Sequence, residues 1–418
     1  MRAPLQITRA LRHRNYQLFF AGQGISLIGT WLSRFAIGYV TYALTGSELL
    51  LGVVAFCSQA PTSIIAPFAG VLVDRWDRHR TIVVTQVFAL LQSAGLAAFA
   101  LTHTLTVWHL MWLGAVQAVI NAFDMPARQS FLGQMVTDRA DLPNAIALNS
   151  SLVNGARLIG PVVATVLVGL VGVGWCFVID AASYLAVIGS LLAMTVAKRP
   201  ARVRSGKSVL VEMADGLAYV RGEPLVRAVL ILLAATSVLG GSYSAQMPAV
   251  ADALHGGVHV LGALLGAAGA GALCGALYLA SRTSVAGLAT VIARCGLGLG
   301  AGFIAVEAAP NVYVAMPIYF LVGLSLMMQM AATNTLVQTV VDQDKLGRVM
   351  SLYAVCFFGG APIGALLEGV IANQIGPVHT FAIAGVGCLG CALWFTRALP
   401  GLRARAGDRE LGLLDAPE

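Results

Sequence analysis

Residues 49–80 read LLLGVVAFCSQAPTSIIAPFAGVLVDRWDRHR. The first 25 of them, Leu49–Val73, carry no charged side chain; the seven that follow hold five, plus a histidine. An apolar run of about 18 residues or more is long enough to cross the hydrocarbon of a bilayer. The change at Asp74 marks where such a helix returns to water.

The same pattern recurs along the chain. Spans are expected at Tyr16–Ala43, Leu49–Val73, Thr81–Leu101, Val107–Phe123, Ala145–Val173 and Trp175–Val196, then at Val226–Val250, Val258–Ala280, Val285–Ala308, Val312–Ala332, Val349–Ile375 and Val378–Leu399. The composition agrees: 58% of the 418 residues are hydrophobic and 11% charged. A soluble domain carries about 25% charged residues, so a water-facing globule is excluded. The expected fold is an all-α membrane protein of twelve transmembrane helices.

The basic residues set the orientation. Of 26 Lys and Arg, only Arg34, Arg157 and Arg294 fall well inside spans. The others lie on the side of the N-terminus, the even-numbered connections and the C-terminal tail; the odd connections hold none. Positive charge concentrates on the cytoplasmic side of a membrane, so both termini are expected in the cytoplasm. This also explains the net charge of +7, which in a soluble protein would suggest a nucleic-acid partner; none is expected here.

The longest connection divides the chain six plus six. Residues 1–197 are expected to form one six-helix bundle, 198–224 a cytoplasmic linker, and 225–418 a second bundle with a short tail. The linker carries Lys198, Arg199, Arg202, Arg204 and Lys207, then an amphipathic helix with Leu210, Met213, Leu217 and Val220 on one face. The halves repeat: Phe131–Asn149 aligns without gaps with Thr335–Tyr353, and Leu132/Leu336, Gln134/Gln338, Val136/Val340, Asp138/Asp342, Leu142/Leu346 and Leu148/Leu352 are identical. Parallel six-helix repeats are a transporter architecture.

The cysteines at 57, 176, 274, 295, 356, 388 and 391 all lie in or beside apolar stretches, so the Cys388/Cys391 pair reads as packing. His255 and His259 flank Gly256-Gly257 in an outer loop and read as solvated. The glycines at 262, 266, 271 and 275, and at 296, 298, 300 and 302, allow close helix approach, whether for fixed packing or for a sliding interface.

The loop Gly70-Val-Leu-Val-Asp74-Arg75-Trp76-Asp77-Arg78-His79-Arg80 resembles the major facilitator superfamily, whose second connection reads G-x-x-x-D-R/K-x-G-R-R/K. Asp77 stands where that pattern has its second glycine. The drug:proton antiporter branch, resembling enterobactin and macrolide exporters, has an Asp there. Asn121-Ala-Phe-Asp124-Met-Pro126-Ala-Arg128-Gln129-Ser-Phe131, Leu142-Pro143-Asn144-Ala-Ile-Ala-Leu-Asn149-Ser and Ala156-Arg157-Leu-Ile-Gly160-Pro161 are similar to the same branch. The likeness runs through the N-terminal half. It weakens at Ser281-Arg282-Thr-Ser-Val285, which has no acidic partner.

The resemblance implies two six-helix, pseudo-symmetric bundles around a central cavity, working by alternating access. It implies Asp74 as a cytoplasmic latch against the eleventh span, with Arg75, Arg78, Asp124 and Arg128 in its network; His79 and Arg80 read as topological. Independently, ionisable groups deep in a membrane are functional candidates. These are Arg34, Arg157, Asp180 and Glu368. Helix bridging is the competing reading for Arg157 and Asp180. Glu368 departs from the branch, so its case is physical: a carboxyl in apolar surroundings can carry a proton.

The expected function is secondary active, proton-coupled export of a small, moderately lipophilic molecule such as a drug, siderophore or metabolite. The setting is a bacterial cytoplasmic (inner) membrane, with the chain a monomer. An importer or facilitator, or a non-transporting sensor on the same scaffold, stays open. No phosphate loop, metal cluster or nucleophile–base set appears in the sequence, so no enzyme activity, cofactor or metal is expected beyond the proton gradient.

Overall fold

The structure is a computed structural model that describes residues 8–136, 138–195, 209–282 and 284–403. Among the described residues it is helical throughout. The helices are α1 (Arg14–Thr45), α2 (Glu48–Cys57), α3 (Ala60–Arg75), α4 (Arg78–Leu101), α5 (Val107–Met135), α6 (Leu142–Val171), α7 (Gly174–Leu192), α8 (Val209–Gly222), α9 (Pro224–Gly240), α10 (Met247–Ala253), α11 (Gly257–Ser281), α12 (Leu288–Glu307), α13 (Val312–Val340), α14 (Gln343–Ile375) and α15 (Pro377–Arg403).

Local chemistry sets several boundaries. Asp77 caps α4, its Oδ1 accepting from the Arg80 N–H at 3.0 Å, which satisfies one of the orphan donors of a helix start. Thr106 and His109 close a reciprocal capping box on α5. Asn311 accepts from Val314 N–H to open α13.

Among the described residues, ten helical stretches are long and apolar enough to cross a membrane. The chain is a multi-pass membrane protein. The expected first and fourth spans, α1 and α5, are not among those ten. They are long, at 32 and 29 residues, but more polar: Gln23, Ser26, Ser33 and Arg34 interrupt α1, and Gln117, Asn121, Asp124 and Arg128 interrupt α5.

Two expected spans are broken. The second divides at Ser58–Gln59 into α2 and α3, where Pro61 fits the first turn of a new helix. The seventh ends at Gly240 and continues through a 3-10 turn, Tyr243–Ala245, into α10, with Pro248 again in the first turn. The helices of the fourth and tenth expected spans run on to Met135 and Val340, and those of the fifth and eleventh start earlier, at Leu142 and Gln343, because the polar residues there continue the same backbone hydrogen bonding.

The chain divides into two compact units, Met1–Thr45 with Cys57–Ser205, and Gly46–Phe56 with Gly206–Glu418. The outer part of the second span thus groups with the second unit. In the first unit α1 packs on α6 and α7, α4 on α5 and α7, and α3 on α5. In the second, α9 packs on α14 and α15, α12 on α13 and α15, and α11 on α13. Numbered by the expected spans that these helices fall on, each of these pairings in the first unit recurs six positions later in the second.

Glycines bring helices of the second unit into backbone contact. A Cβ on Gly300 would lie 2.7 Å from Leu389 N and 2.8 Å from Gly385 O, across the α12–α15 contact. On the next face of α12, Gly298 and Gly302 meet Ser325 and Val322 of α13.

Lys198, Arg199, Arg202, Arg204 and Lys207 lie outside the described residues, as do the side chains of Leu210 and Met213. Of the remaining pair, Val220 is 5% exposed but Leu217 is 43% exposed. Gly216 is buried instead, because a Cβ there would lie 2.9 Å from Arg348 O. Asp215 pairs with Arg348 at 3.3 Å, so α8 docks on the start of α14. In the first unit Asn144, which aligns with Arg348 in the internal repeat, accepts from Ala10 N–H at 2.9 Å.

Candidate functional site

The charged loop after α3 is built around helix ends. Asp74 lies in the last turn of α3, and its side chain is outside the described set. Arg75 is exposed at the C-terminus of the same helix, where a cation suits the helix dipole. Arg78 begins α4 and is half-buried. Trp76 stacks on Phe123 of α5, ring centroids 6.0 Å apart. His79, expected to be topological, instead donates from Nε2 to Leu191 O at 2.8 Å, satisfying a carbonyl in the last turn of α7.

Asp124 is the hub of a buried network inside the first unit. Its Oδ1 accepts from Thr85 Oγ1 at 2.8 Å and Gln86 Nε2 at 2.9 Å, both on α4. Its Oδ2 pairs with Arg128 one turn later. A buried carboxylate is tolerated when paired and hydrogen-bonded in this way.

Asp180 is also buried, 3% exposed. Ser93 of α4 donates to its Oδ2 at 2.9 Å, and a Cβ on Gly29 of α1 would lie 3.0 Å from the Asp180 Cα and Oδ1. Its Oδ1 has no hydrogen-bond partner. The residue therefore knits α1, α4 and α7 at one level.

Arg34 and Arg157 come together on one aromatic ring. The Arg34 Cζ lies 5.1 Å and the Arg157 Cζ 5.8 Å from the centroid of Trp31, within cation–π range. Gly160 fixes the ring: a Cβ there would lie 2.3 Å from Trp31 Cβ, so α1 and α6 touch at this level.

In the second unit Glu368 of α14 is 4% exposed, and neither carboxylate oxygen has a hydrogen-bond partner. Its helix packs closely on both sides. Gly364 abuts Val238 O of α9, and Gly369 lies against Glu48 O and Gly52 of α2. Tyr319 of α13 and Cys388 of α15 are within electrostatic reach of Glu368. The Tyr319 hydroxyl is likewise buried without a partner. Ile363, Leu367 and Val370 are exposed, so the carboxyl points away from the apolar surface of its helix.

Residues 7–410 match the family model described as transmembrane secretion effector, a major facilitator family. The chain belongs to this family. Among its curated relatives is a staphyloferrin A transporter of Staphylococcus aureus, 21% identical over 90% of this chain and 95% of that protein. Another is a macrolide efflux protein A of Streptococcus pyogenes, 24% identical over 90% and 94%. Among solved structures, a POT family transporter in complex with a thioalcohol-conjugated peptide superposes with a TM-score of 0.74 at 12% identity, covering 93% of this chain and 96% of that one. The last comparison shows the fold alone.

For a transmembrane secretion effector, the branch-like segments quoted from the sequence carry both the Asp124–Arg128 pair and Arg157. Sequence reading did not single out Thr85, Gln86, Ser93, Trp31 or Tyr319. Thr85, Gln86 and Ser93 are ordinary polar residues of one helix, and only the packing of α4 turns them toward Asp124 and Asp180. Trp31 had a usable signal: it lies three residues before Arg34, on the same helical face.

Proposed function

We propose that this chain is a secondary active exporter of a small, moderately lipophilic molecule in a bacterial inner membrane. It works by alternating access, with twelve spans in two six-helix bundles and both termini in the cytoplasm. The family match over nearly the whole chain supports transport. The relatives named for macrolide efflux and for staphyloferrin A support a drug, siderophore or similar metabolite as cargo.

Protons drive the cycle, and the observation that carries this reading is Glu368. An ionised carboxylate with both oxygens unbonded and shielded from water costs several kcal/mol; the neutral acid removes most of that cost. A conformational change that opens Glu368 to water lets it release the proton, and closing requires rebinding. Asp74 acts as the cytoplasmic latch, with Arg75, Arg78, Asp124 and Arg128 supporting it. The protein needs no cofactor or metal and works as a monomer.

The test is expression in a bacterial strain stripped of its own pumps, scored against a panel of macrolides, dyes and siderophores. A hit is then followed in inverted vesicles energised by respiration. Accumulation that collapses with a protonophore supports the reading. Accumulation that survives the protonophore contradicts proton coupling, and movement only in the opposite direction makes the chain an importer.

A further inference from the structure

Two guanidiniums in the first unit share one indole. Among the described residues, no carboxylate lies within ion-pair distance of Arg34 or Arg157. The groups nearest Arg34 in charge are the Tyr184 phenol, the like charge of Arg157 and Asp180, and Asp180 is turned to Ser93.

Both residues sit at membrane depth. Arg34 precedes the end of α1 at Thr45 by eleven residues, about 16 Å at 1.5 Å per residue. Arg157 is fourteen residues from the end of α6 at Val171, about 21 Å. The hydrocarbon is about 30 Å thick, so Arg34 lies near its middle and Arg157 lies inside it, towards the other face. Arg34 is nevertheless exposed, and Arg157 half-exposed. A charge at that depth faces a water-filled path rather than lipid. Two like charges on one ring, with no carboxylate paired to either among the described residues, make a place where an anion is favoured.

We propose that Arg34 and Arg157 bind a carboxylate of the transported molecule, so that the substrate is an organic anion. Trp31 is the positioning residue. Its ring lies within cation–π reach of both guanidiniums, and Gly160 holds the ring. Arginine suits the task because its planar fork gives two parallel hydrogen bonds to a carboxylate. The inference rests on the transporter reading, but binding can be measured without transport.

The experiment is equilibrium dialysis of the full chain in nanodiscs against 2-naphthoate and its neutral isostere 2-naphthamide. Wild type is expected to bind the naphthoate at least about tenfold more tightly, the scale of one charge-assisted hydrogen bond. Arg34→Gln and Arg157→Gln should each remove most of that preference, weakening naphthoate binding more than naphthamide binding. Arg34→Lys should keep part of it. Trp31→Leu should weaken naphthoate binding more than naphthamide binding. Equal or absent binding of the two probes by wild type overturns the proposal, as does a preference that survives in the double Gln variant. The wild-type comparison decides even if a variant does not fold. If the preference holds while the vesicles of the previous section show no transport, the anion site stands and the exporter reading falls.

Discussion

Asp124 and Arg128 form an ion pair across one turn of α5, and the same carboxylate holds two side chains of α4. Removing one member of a buried pair strands the other, at a cost of about 3–5 kcal/mol. Asp124→Ala is therefore expected to lower the melting temperature strongly. Asp124→Asn, which retains an acceptor for Thr85 or Gln86, should cost less. A double change, Asp124→Asn with Arg128→Met, should recover part of the loss. Thermal melts by fluorescence-detected size exclusion measure all three. Strictly additive effects would show that the pair is not coupled.

The glycines of α12 predict unequal responses on one helix. A Cβ on Gly300 meets the backbone of α15, which cannot yield, whereas a Cβ on Gly298 meets the Ser325 hydroxyl, which can rotate. Overpacking costs about 1–3 kcal/mol. Gly300→Ala should reduce the yield of monodisperse protein sharply, and Gly298→Ala should leave it near wild type. Equal yields would show that the α12–α15 contact is looser than the structure has it.

Orientation follows from charge asymmetry and is checked by labelling. All seven cysteines are without disulfides and can be replaced. In that background Thr104→Cys and Asp252→Cys, both at exposed positions of odd connections, should react in intact cells with an impermeant thiol reagent. Arg80→Cys and Asp344→Cys should react only after the cells are opened. Reversal of either pair inverts the topology.

Much of this protein was legible in its sequence, for a physical reason. Lipid demands long apolar helices with internally satisfied backbones, so span positions follow from composition. The breaks did not, because Ser58–Gln59 and Gly240–Gly241 sit inside runs without a charged residue, where nothing marks a return to water. Nor did the burial of Gly216 in place of Leu217, which depends on the backbone at Arg348. Single charges were legible as candidates: Arg34, Arg157, Asp180 and Glu368 all stand out against apolar neighbours. Their partners were not. Trp31 meets Arg157, and Ser93 meets Asp180, only through packing between helices far apart in the chain.

The central claim is that Glu368 couples proton movement to export. Glu368→Gln keeps the size and polarity of the side chain but cannot ionise, so folding and substrate binding should persist. The decisive measurement is efflux of a substrate from proteoliposomes with and without an imposed pH gradient, wild type beside Glu368→Gln. Wild-type efflux should accelerate with the gradient, and the variant's rate should be the same in both conditions. A variant that responds to the gradient as wild type does would contradict the account and leave Glu368 as a buried packing residue.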